Sequence, residues 1–502
     1  MTDVIIVGAG SAGCVLARRL LDAGRTVTVL EAGEHDLNPV IPLVGRAGEL
    51  WHSEVDWDYA TVPQPHAAGR RLHLPRGKVL GGSHALNACI WVRGAREDFD
   101  DWAAAGNTGW SWDEVLPLYK SIESFSRGAS ELHGAEGPLD VVADYELNPI
   151  QEAVLAAVEQ VGVARTEDYN TGVLDGVAPE QVTMRDGKRL NTWHAYLRPV
   201  ADNERLTLLT GAWVHELLVE DGAAVGVRYE QDGQLHELRG TTVILTAGAL
   251  DTPRVLLRSG IGPADELTDL GIPVRVDLPG VGKNLHDHLL SPVIAATEKP
   301  VPAPLDTMGA SQVHWWWRSR EGLDRPDTQP LVFSIPMYEE WMSGPSSGFT
   351  IQAGMVNPRS RGSVTLSGPG PHDPISIDLG ALSEDDDVAS LVASVKQARE
   401  VLTQPALAEW GVTEIYPGPE VRTDEEITDY VRRTAITYHH QVGTARMGVD
   451  DLAVVDPERL AVHGVAGLHV ADASVIPTIP VGNTNAPAIL VAEKLAEVLT
   501  RV

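Results

Sequence analysis

The sequence has few cysteines: Cys14 and Cys89 are the only two in 502 residues. Both lie in apolar segments and do not form a C-x-x-C pair, which argues against a disulfide framework and against a redox dithiol. The N-terminus enters a strand pattern directly, without the basic and apolar segments of a signal peptide. We therefore expect a cytoplasmic protein whose two thiols are reduced and buried.

Basic residues are also scarce, since 39 Lys and Arg stand against 70 Asp and Glu, for a net charge of −31. This balance argues against nucleic acid and anionic membranes as partners, because both require a basic surface. No apolar run reaches the roughly 18 residues of a membrane helix. The remaining composition, 43% hydrophobic and 22% charged, is that of a soluble globular protein of two or three domains.

Several catalytic patterns are missing. There is no H-E-x-x-H and no paired C-x-x-C, so no metal site is predicted. The G-x-S-x-G elbow of serine hydrolases is absent too. A second strand–G-x-G-x-x-G–helix unit, which flavoenzymes that use NAD(P)H often have, is also absent. This favours a reaction in which the electrons come from the substrate itself.

The best-defined feature that is present is the segment 3–33. The β-branched run 4–7 predicts a strand buried on both faces, and Gly8, Gly10 and Gly13 form a G-x-G-x-x-G turn that opens a helix. A second strand, 26–30, is followed by Glu31. This order predicts a dinucleotide site with its pyrophosphate on the helix N-terminus and Glu31 on the ribose. The motif alone does not distinguish FAD from NAD.

Polar residues are concentrated near the C-terminus. His439 and His440 precede a glycine turn, and Asn483 and Asn485 lie in a loop that opens the last helix. A histidine can take a proton from a hydroxyl, and a neighbouring amide can stabilise the resulting alkoxide. Taken alone, a histidine pair is more often structural.

Further motifs, in chain order, resemble those of the glucose–methanol–choline (GMC) oxidoreductase family, whose members are FAD enzymes that oxidise alcohols. Beside the N-terminal fingerprint, the matching segments are 77–83 with Asn87, 133–138, 248–253, 259–262, 280–285 and 470–474. The resemblance covers essentially the whole chain. It implies an α/β fold, α+β overall, with a Rossmann-like FAD-binding domain and a second, substrate-binding domain on an antiparallel sheet with helices.

The predicted FAD-binding domain is discontinuous and comprises residues 1–143, 184–288 and 438–502. The predicted substrate-binding domain comprises residues 144–183 and 289–437, where prolines are frequent and short strand patterns appear.

The resemblance also assigns roles to residues. His440 is the implied catalytic base and Asn483 its partner: His440 removes the hydroxyl proton, the α-carbon delivers hydride to flavin N5, and Asn483 holds the developing alkoxide. The implied FAD contacts are Gly8, Gly10, Gly13, Glu31, Gly81, Gly82, Asn87, Val214, Asp472 and Asn485. Candidate substrate contacts are His439, Leu290 and Trp316.

The segments 321–327 and 360–362 are similar to bacterial choline oxidase, but two differences argue against choline. Leu86 stands where choline oxidases have the histidine that attaches FAD, so non-covalent FAD is expected, with His84 as an alternative tether. Leu290 stands where they place a glutamate that faces the trimethylammonium group. A quaternary ammonium needs a carboxylate or an aromatic cage, which the Trp315–Trp317 cluster would have to supply.

The sequence therefore predicts FAD-dependent oxidation of a neutral aryl, furanic or pyridine-type primary alcohol to an aldehyde, with O2 as acceptor and hydrogen peroxide as product. The alternatives are a choline or amino-alcohol oxidase and a dehydrogenase that uses a quinone or another acceptor. A hydroxynitrile lyase, which keeps flavin without net redox, is a more distant alternative.

Overall fold

The first large sheet is organised around the strand Thr2–Val7, which is almost entirely buried. In the computed structural model, which describes residues 2–501, this strand pairs in parallel with Val27–Leu30 on one side and with Gln234–Leu245 on the other. Leu206–Leu209 and Leu468–Val470 extend the parallel sheet at its two sides. Burial on both faces explains the continuous β-branched run in the sequence.

The strand Gln234–Leu245 belongs to two parts of this sheet. Its second half pairs with Thr2–Val7, and its first half pairs antiparallel with Ala223–Gln231, which pairs in turn with Trp213–Glu220. The sequence pattern predicts only 224–229 and 243–245 as strands here, and it misses Trp213–Glu220. Exposed polar positions interrupt the apolar pattern of this antiparallel part.

The second large sheet is antiparallel throughout. Its strands, in spatial order, are Thr413–Tyr416, Leu289–Ala296, Gly348–Met355, Leu331–Phe333, Ser311–Trp316 and Gly176–Pro179, with Ile436–Thr437 beside Leu289–Ala296. Every residue of Leu289–Ala296 and Gly348–Met355 is buried, so the sheet is covered on both faces. Helices pack on one face, and the other face forms part of a cavity wall.

The helices complete the two layers. They span Ser11–Asp22, Arg96–Ala104, Trp112–Ile122, Pro149–Gln160, Gly248–Arg258, Ala264–Asp269, Asp385–Leu402, Asp424–Thr434 and Asn485–Thr500. Short two-stranded ladders pair Tyr59–Ala60 with His73–Leu74, Glu123–Phe125 with Leu139–Val141, Met184–Arg185 with Lys188–Arg189, Ile261–Gly262 with Val276–Asp277, and Ser363–Leu366 with Ile375–Asp378. Among residues 2–501, no helix combines the length and the hydropathy needed to cross a bilayer.

The predicted fold class is confirmed, because a parallel sheet with helices is joined to an antiparallel sheet with helices. The domain boundaries derived from the sequence stay a prediction.

The first and last helices lie side by side, and Arg19 on the first makes two hydrogen bonds of 2.9 Å to Glu493 on the last. The first and last helices therefore pack together in the core of the parallel sheet.

Candidate active site

A cavity of about 560 Å³ is lined by residues from both large sheets. Glycine turns and the carboxyl ends of the parallel strands form one part of its wall. The antiparallel sheet and the segments around it supply an apolar part: Ile90, Leu290, Leu331, Phe333, Ile335, Met337 and Ile436. Its volume lies within the roughly 300–1,000 Å³ of ligand sites. The cavity therefore joins the predicted cofactor residues to the predicted substrate domain.

The N-terminal glycine turn leaves no room for side chains. Gly8 has a φ of +104°, and a Cβ on Gly13 would lie 1.9 Å from the Gly8 carbonyl oxygen. Gly10 faces Gly82 of the second glycine turn, where an added Cβ would lie 2.7 Å from the Gly10 Cα. The Gly81 N–H donates to the Ala9 carbonyl at 2.8 Å. The two glycine turns thus contact each other through their backbones, and side chains at these positions would prevent so close a contact.

Two helix N-termini converge on this cavity. Ser11 begins the first helix and Asn485 the last, and the Ser11 hydroxyl donates to the Asn485 side-chain oxygen at 2.7 Å. Both residues line the cavity. Free N–H groups and the helix dipole favour anions at such ends. The sequence predicts the first of these N-termini as a pyrophosphate site, and the fold adds the second.

Glu31 follows the strand Val27–Leu30 and is buried at the cavity wall. Its carboxylate accepts hydrogen bonds from the Ala9 N–H at 2.8 Å and the Gly33 N–H at 2.9 Å. Burial raises the pKa of Glu31 to about 7, and these two donors oppose the rise. Each oxygen retains a lone pair that can accept a hydroxyl. Glu31 therefore shapes the glycine turn and can still receive a ribose.

Asp472 has a similar position in the cavity wall. It accepts from the Gly248 N–H at 2.8 Å, the Thr252 hydroxyl at 2.6 Å and the Ser474 N–H at 2.8 Å. Burial raises the pKa of this carboxyl, and the same hydrogen bonds lower it. Asp472 thus holds the start of the helix Gly248–Arg258 against the sheet.

The remaining predicted cofactor residues divide into two groups. Asn87, Val214 and Asn485 line the cavity, whereas Gly13 and Gly81 lie behind its wall. The Asn87 side-chain oxygen accepts from Cys89 N–H at 2.9 Å and from Arg189 at 3.0 Å, which leaves the amide NH2 for the cavity. Close glycines, two helix N-termini and a carboxylate at the end of the second strand fit the FAD that the sequence implies.

His440 and Asn483 meet in the cavity wall, although 43 positions separate them in the sequence. The Asn483 amide nitrogen lies 3.2 Å from His440 Nε2, and the Asn483 oxygen accepts from Gln329 Nε2 at 3.2 Å. The amide therefore donates to His440, so that Nε2 is the unprotonated nitrogen. His440 Nδ1, which lies 3.0 Å from His288 Nδ1, then carries the proton. A chain of hydrogen bonds thus sets the tautomer.

Burial sets the charge of His440. It lowers the pKa of His440 well below its usual value, and His288, His439 and Arg76 nearby lower it further. The imidazole is therefore neutral at pH 7. The His440 backbone N–H donates to the Asp287 carboxylate at 2.8 Å, and Gln441 donates to the other oxygen. Burial raises the pKa of Asp287 to about 7.

The predicted substrate contacts have different positions. His439 and Leu290 line the cavity. His439 has a φ of +66° and its Nδ1 lies 2.7 Å from the Thr437 hydroxyl. Burial lowers the pKa of His439 to about 3. Trp316 is 1% exposed, is not part of the cavity wall, and packs against His314 and Tyr169. Its substrate contact stays a prediction.

Sequence reasoning missed several residues in this wall or directly behind it. Gln329 and His288 complete the hydrogen-bond chain of His440, and Trp213 and Gln352 line the cavity. None belongs to a short motif for chemistry, and each lies in or beside a strand whose pattern indicates only packing. The adjacent pair Asp287–His288 is the single local signal.

Comparison with known proteins places these observations in a family. Residues 2–290 and 358–492 match the GMC oxidoreductase family. An alcohol dehydrogenase (acceptor) from Pseudomonas putida is 37% identical over 532 residues, covering 100% of this chain and 96% of that protein. An oxygen-dependent choline dehydrogenase from Brucella ovis is 36% identical, covering 99% and 95%. The crystal structure of pyridoxine 4-oxidase from Mesorbium loti superposes with a TM-score of 0.95 at 34% identity, covering 99% of both chains.

Proposed function

The chain belongs to the GMC oxidoreductase family and is an FAD-dependent enzyme that acts on alcohols, and from this premise we propose that it oxidises a neutral primary alcohol to the aldehyde with O2 as acceptor. The observation that carries the proposal is the pairing of His440 Nε2 with the Asn483 amide at 3.2 Å in the wall of the cavity. This pairing places a neutral base beside a hydrogen-bond donor.

The side chains do the proton chemistry. When the substrate hydroxyl replaces the Asn483 amide as the partner of His440 Nε2, this nitrogen accepts the hydroxyl proton, a step that typically contributes about 10²–10⁴-fold to the rate. Asn483 donates to the alkoxide oxygen, as an oxyanion-hole donor does. Gln329 is a positioning residue, because its hydrogen bond orients the Asn483 amide. When bound, FAD would supply the hydride acceptor for this oxidation.

The pairing of the carboxylates in the cavity wall favours a neutral substrate. Its carboxylates, Glu31, Glu49, Asp251 and Asp472, are all engaged by backbone N–H groups or by arginines. Within residues 2–501, no unpaired carboxylate of this wall faces the apolar part, so a trimethylammonium group would lack a counter-charge there. A flat aryl, furanic or pyridine ring suits the apolar side chains, and the similarity to pyridoxine 4-oxidase supports the pyridine type.

Non-covalent FAD is part of the proposal. Leu86 lines the cavity directly before Asn87, and its alkyl side chain cannot form a bond to the flavin. The His84 ring is turned toward the Thr183 hydroxyl, 3.0 Å from Nε2, and is outside the cavity wall. Precipitation of the enzyme with acid tests this point: the yellow colour should stay in the supernatant, and a yellow pellet would contradict the proposal.

The activity is tested by recording the flavin spectrum without oxygen while alcohols are added. We expect pyridoxine, benzyl alcohol or furfuryl alcohol to bleach the flavin, choline to bleach it poorly, and air to restore it with formation of peroxide. Slow recovery in air would indicate a dehydrogenase that uses another acceptor and not an oxidase. Faster bleaching by choline than by the neutral alcohols would contradict the proposal of a neutral substrate. No bleaching by any alcohol would contradict the redox function.

The roles of the residue pair are tested with His440→Ala and Asn483→Ala. Both variants should keep their FAD, and His440→Ala should slow anaerobic flavin reduction by about 10²–10⁴-fold because the base is lost. Stopped-flow absorbance measures the rate. His463→Ala, an exposed histidine outside the cavity wall, is the control. If the flavin of His440→Ala were reduced at the wild-type rate, His440 would not be the catalytic base.

A further inference from the structure

Three side chains distant in sequence converge at the surface beside Trp213. They are His215, Glu230 and His372, and their ligand atoms all lie within 4.8 Å of one another. His215 Nε2 lies 3.4 Å from Glu230 Oε2, and His372 Nε2 lies 3.0 Å from the same oxygen. Both imidazoles therefore point their Nε2 atoms at one carboxylate oxygen.

These separations are close to those between the ligands of a tetrahedral cation. Zinc bonds of about 2.1 Å at the tetrahedral angle place ligand atoms about 3.4 Å apart. Two imidazole nitrogens and a carboxylate oxygen are also a known ligand set of zinc sites with one open position. The arrangement thus needs only small adjustments to hold a cation.

His215 has an unused ligand atom. The residue is 4% exposed, and its Nε2 forms no hydrogen bond to any part of the chain between residues 2 and 501. A buried polar nitrogen without a partner is costly. The nitrogen faces Glu230, yet the two do not form a hydrogen bond of good geometry. A cation between them would satisfy both groups.

The fold holds the three ligands in place before any cation binds. His215 and Glu230 lie on paired antiparallel strands, in which Trp213 is opposite Glu230. His372 lies in the turn 367–374, which Arg258 fixes by donating to the carbonyls of Gly370 and Asp373, the latter at 2.8 Å. Arg258 is 7% exposed, so this attachment is internal to the protein. The turn is therefore anchored with His372 over the sheet.

We propose that His215, Glu230 and His372 form a binding site for a divalent cation of the zinc class, with water in the open position. His372 is exposed, so the cation can enter from solvent. The nearby arginines do not bind Glu230 in place of a cation, because Arg254 is paired with Asp251 at 2.6 Å and Arg258 donates to carbonyls. The cation fastens the turn 367–374 to the sheet around Trp213, whose ring lies 5.0 Å from His215 and 5.3 Å from His372.

A second group of possible ligands, His52, Asp58 and His73, is a weaker candidate. There the 2.7 Å contact between His52 Nδ1 and Asp58 is a hydrogen bond, whereas His73 Nε2, 3.0 Å from Asp58, forms none among the described residues. None of these three residues is buried as His215 is, and water can solvate the exposed His52 and Asp58. This group is nevertheless the main competitor for added metal, and the experiment must separate the two.

The test uses the FAD-loaded enzyme, treated with a chelator, desalted, and titrated with ZnCl2 by isothermal titration calorimetry. Wild type should bind one equivalent at micromolar concentration, and zinc should raise the thermal midpoint. His372→Ala should abolish both effects, and Glu230→Gln should weaken them; both changes are at the surface and should leave the fold intact. His236→Ala, an exposed histidine on the neighbouring strand, and His52→Ala are the controls and should bind as wild type does.

Three results would overturn the proposal. The first is no binding to wild type at micromolar zinc. The second is unchanged binding by His372→Ala. The third is loss of binding in His52→Ala but not in His372→Ala, which would assign the metal to the other group. Slower hydrogen exchange in the turn 367–374 on zinc addition is a further expected result, and no change there would contradict the fastening role.

Discussion

At the scale of single residues, burial decides which groups are charged around the cavity. His440 is neutral because it is buried among His288, His439 and Arg76. Glu180 shows the opposite case, an acid kept protonated. It is fully buried behind Ser311 of the cavity wall, and burial raises its pKa from 4.5 to about 8, against the hydrogen bond that Ser311 donates. Its second oxygen has no partner among the described residues.

Glu180 therefore gives stability a predictable dependence on pH. The folded state holds the proton up to about pH 8, and the unfolded state releases it near 4.5. As pH rises between these values, the unfolding free energy falls by at most about 1.4 kcal/mol per unit through this group. Glu180→Gln removes this loss, so the variant should gain stability relative to wild type as pH rises.

Urea unfolding at pH 5 and pH 8 measures this difference. Glu159→Gln, the same change on an exposed helix position, controls for the removal of a carboxylate. If wild type and Glu180→Gln keep a constant difference between the two pH values, Glu180 does not titrate as proposed.

At the scale of elements, the turn between the strand Thr2–Val7 and the helix Ser11–Asp22 is the part most sensitive to added volume. A Cβ on Gly13 would lie 1.9 Å from the Gly8 carbonyl oxygen and 2.8 Å from the Thr246 hydroxyl. The first of these atoms is backbone, so the helix and the strand must separate.

Gly13→Ala should therefore cost about 1–3 kcal/mol of unfolding free energy, as overpacked cores do, and should lower the FAD content because the turn is displaced. Denaturant unfolding measures the loss of stability, and the ratio of flavin absorbance to protein absorbance measures the FAD content. Gly48→Ala is the matched control for stability, because an added Cβ there meets nothing within 4 Å. Wild-type stability together with full FAD content would show that the helix can shift freely.

At the scale of the whole molecule, the net charge of −31 means that the excess carboxylates repel one another and destabilise the folded state. The surface ion pairs offset little of this, since each is worth about 0–1 kcal/mol. Repulsion over long distances is screened first, because the Debye length falls from about 30 Å at 0.01 M salt to about 10 Å at 0.1 M.

The midpoint of thermal unfolding should therefore rise between these two salt concentrations. Differential scanning calorimetry in NaCl measures the shift, and KCl at equal ionic strength should produce the same shift if screening is the cause. A midpoint that falls with salt would mean that ion pairs outweigh the repulsion.

The sequence by itself determined the strand, glycine turn and helix of residues 2–22, the GMC family, the FAD cofactor and the oxidoreductase class, all of which are confirmed. These features depend on neighbours within a few residues or on motifs in a set order, so they can be predicted without knowledge of the tertiary structure. The domain boundaries and the roles of the individual site residues stay predictions.

Only the tertiary structure decided which side chains meet. The approach of Gln329 and His288 to Asn483 and His440 depends on how the antiparallel sheet packs against the parallel one. The sequence predicts no metal site, whereas the fold brings His215, Glu230 and His372 to within 4.8 Å. Spacing along the chain encodes local periodicity, but convergence of distant residues is set by packing between elements, which no short motif records.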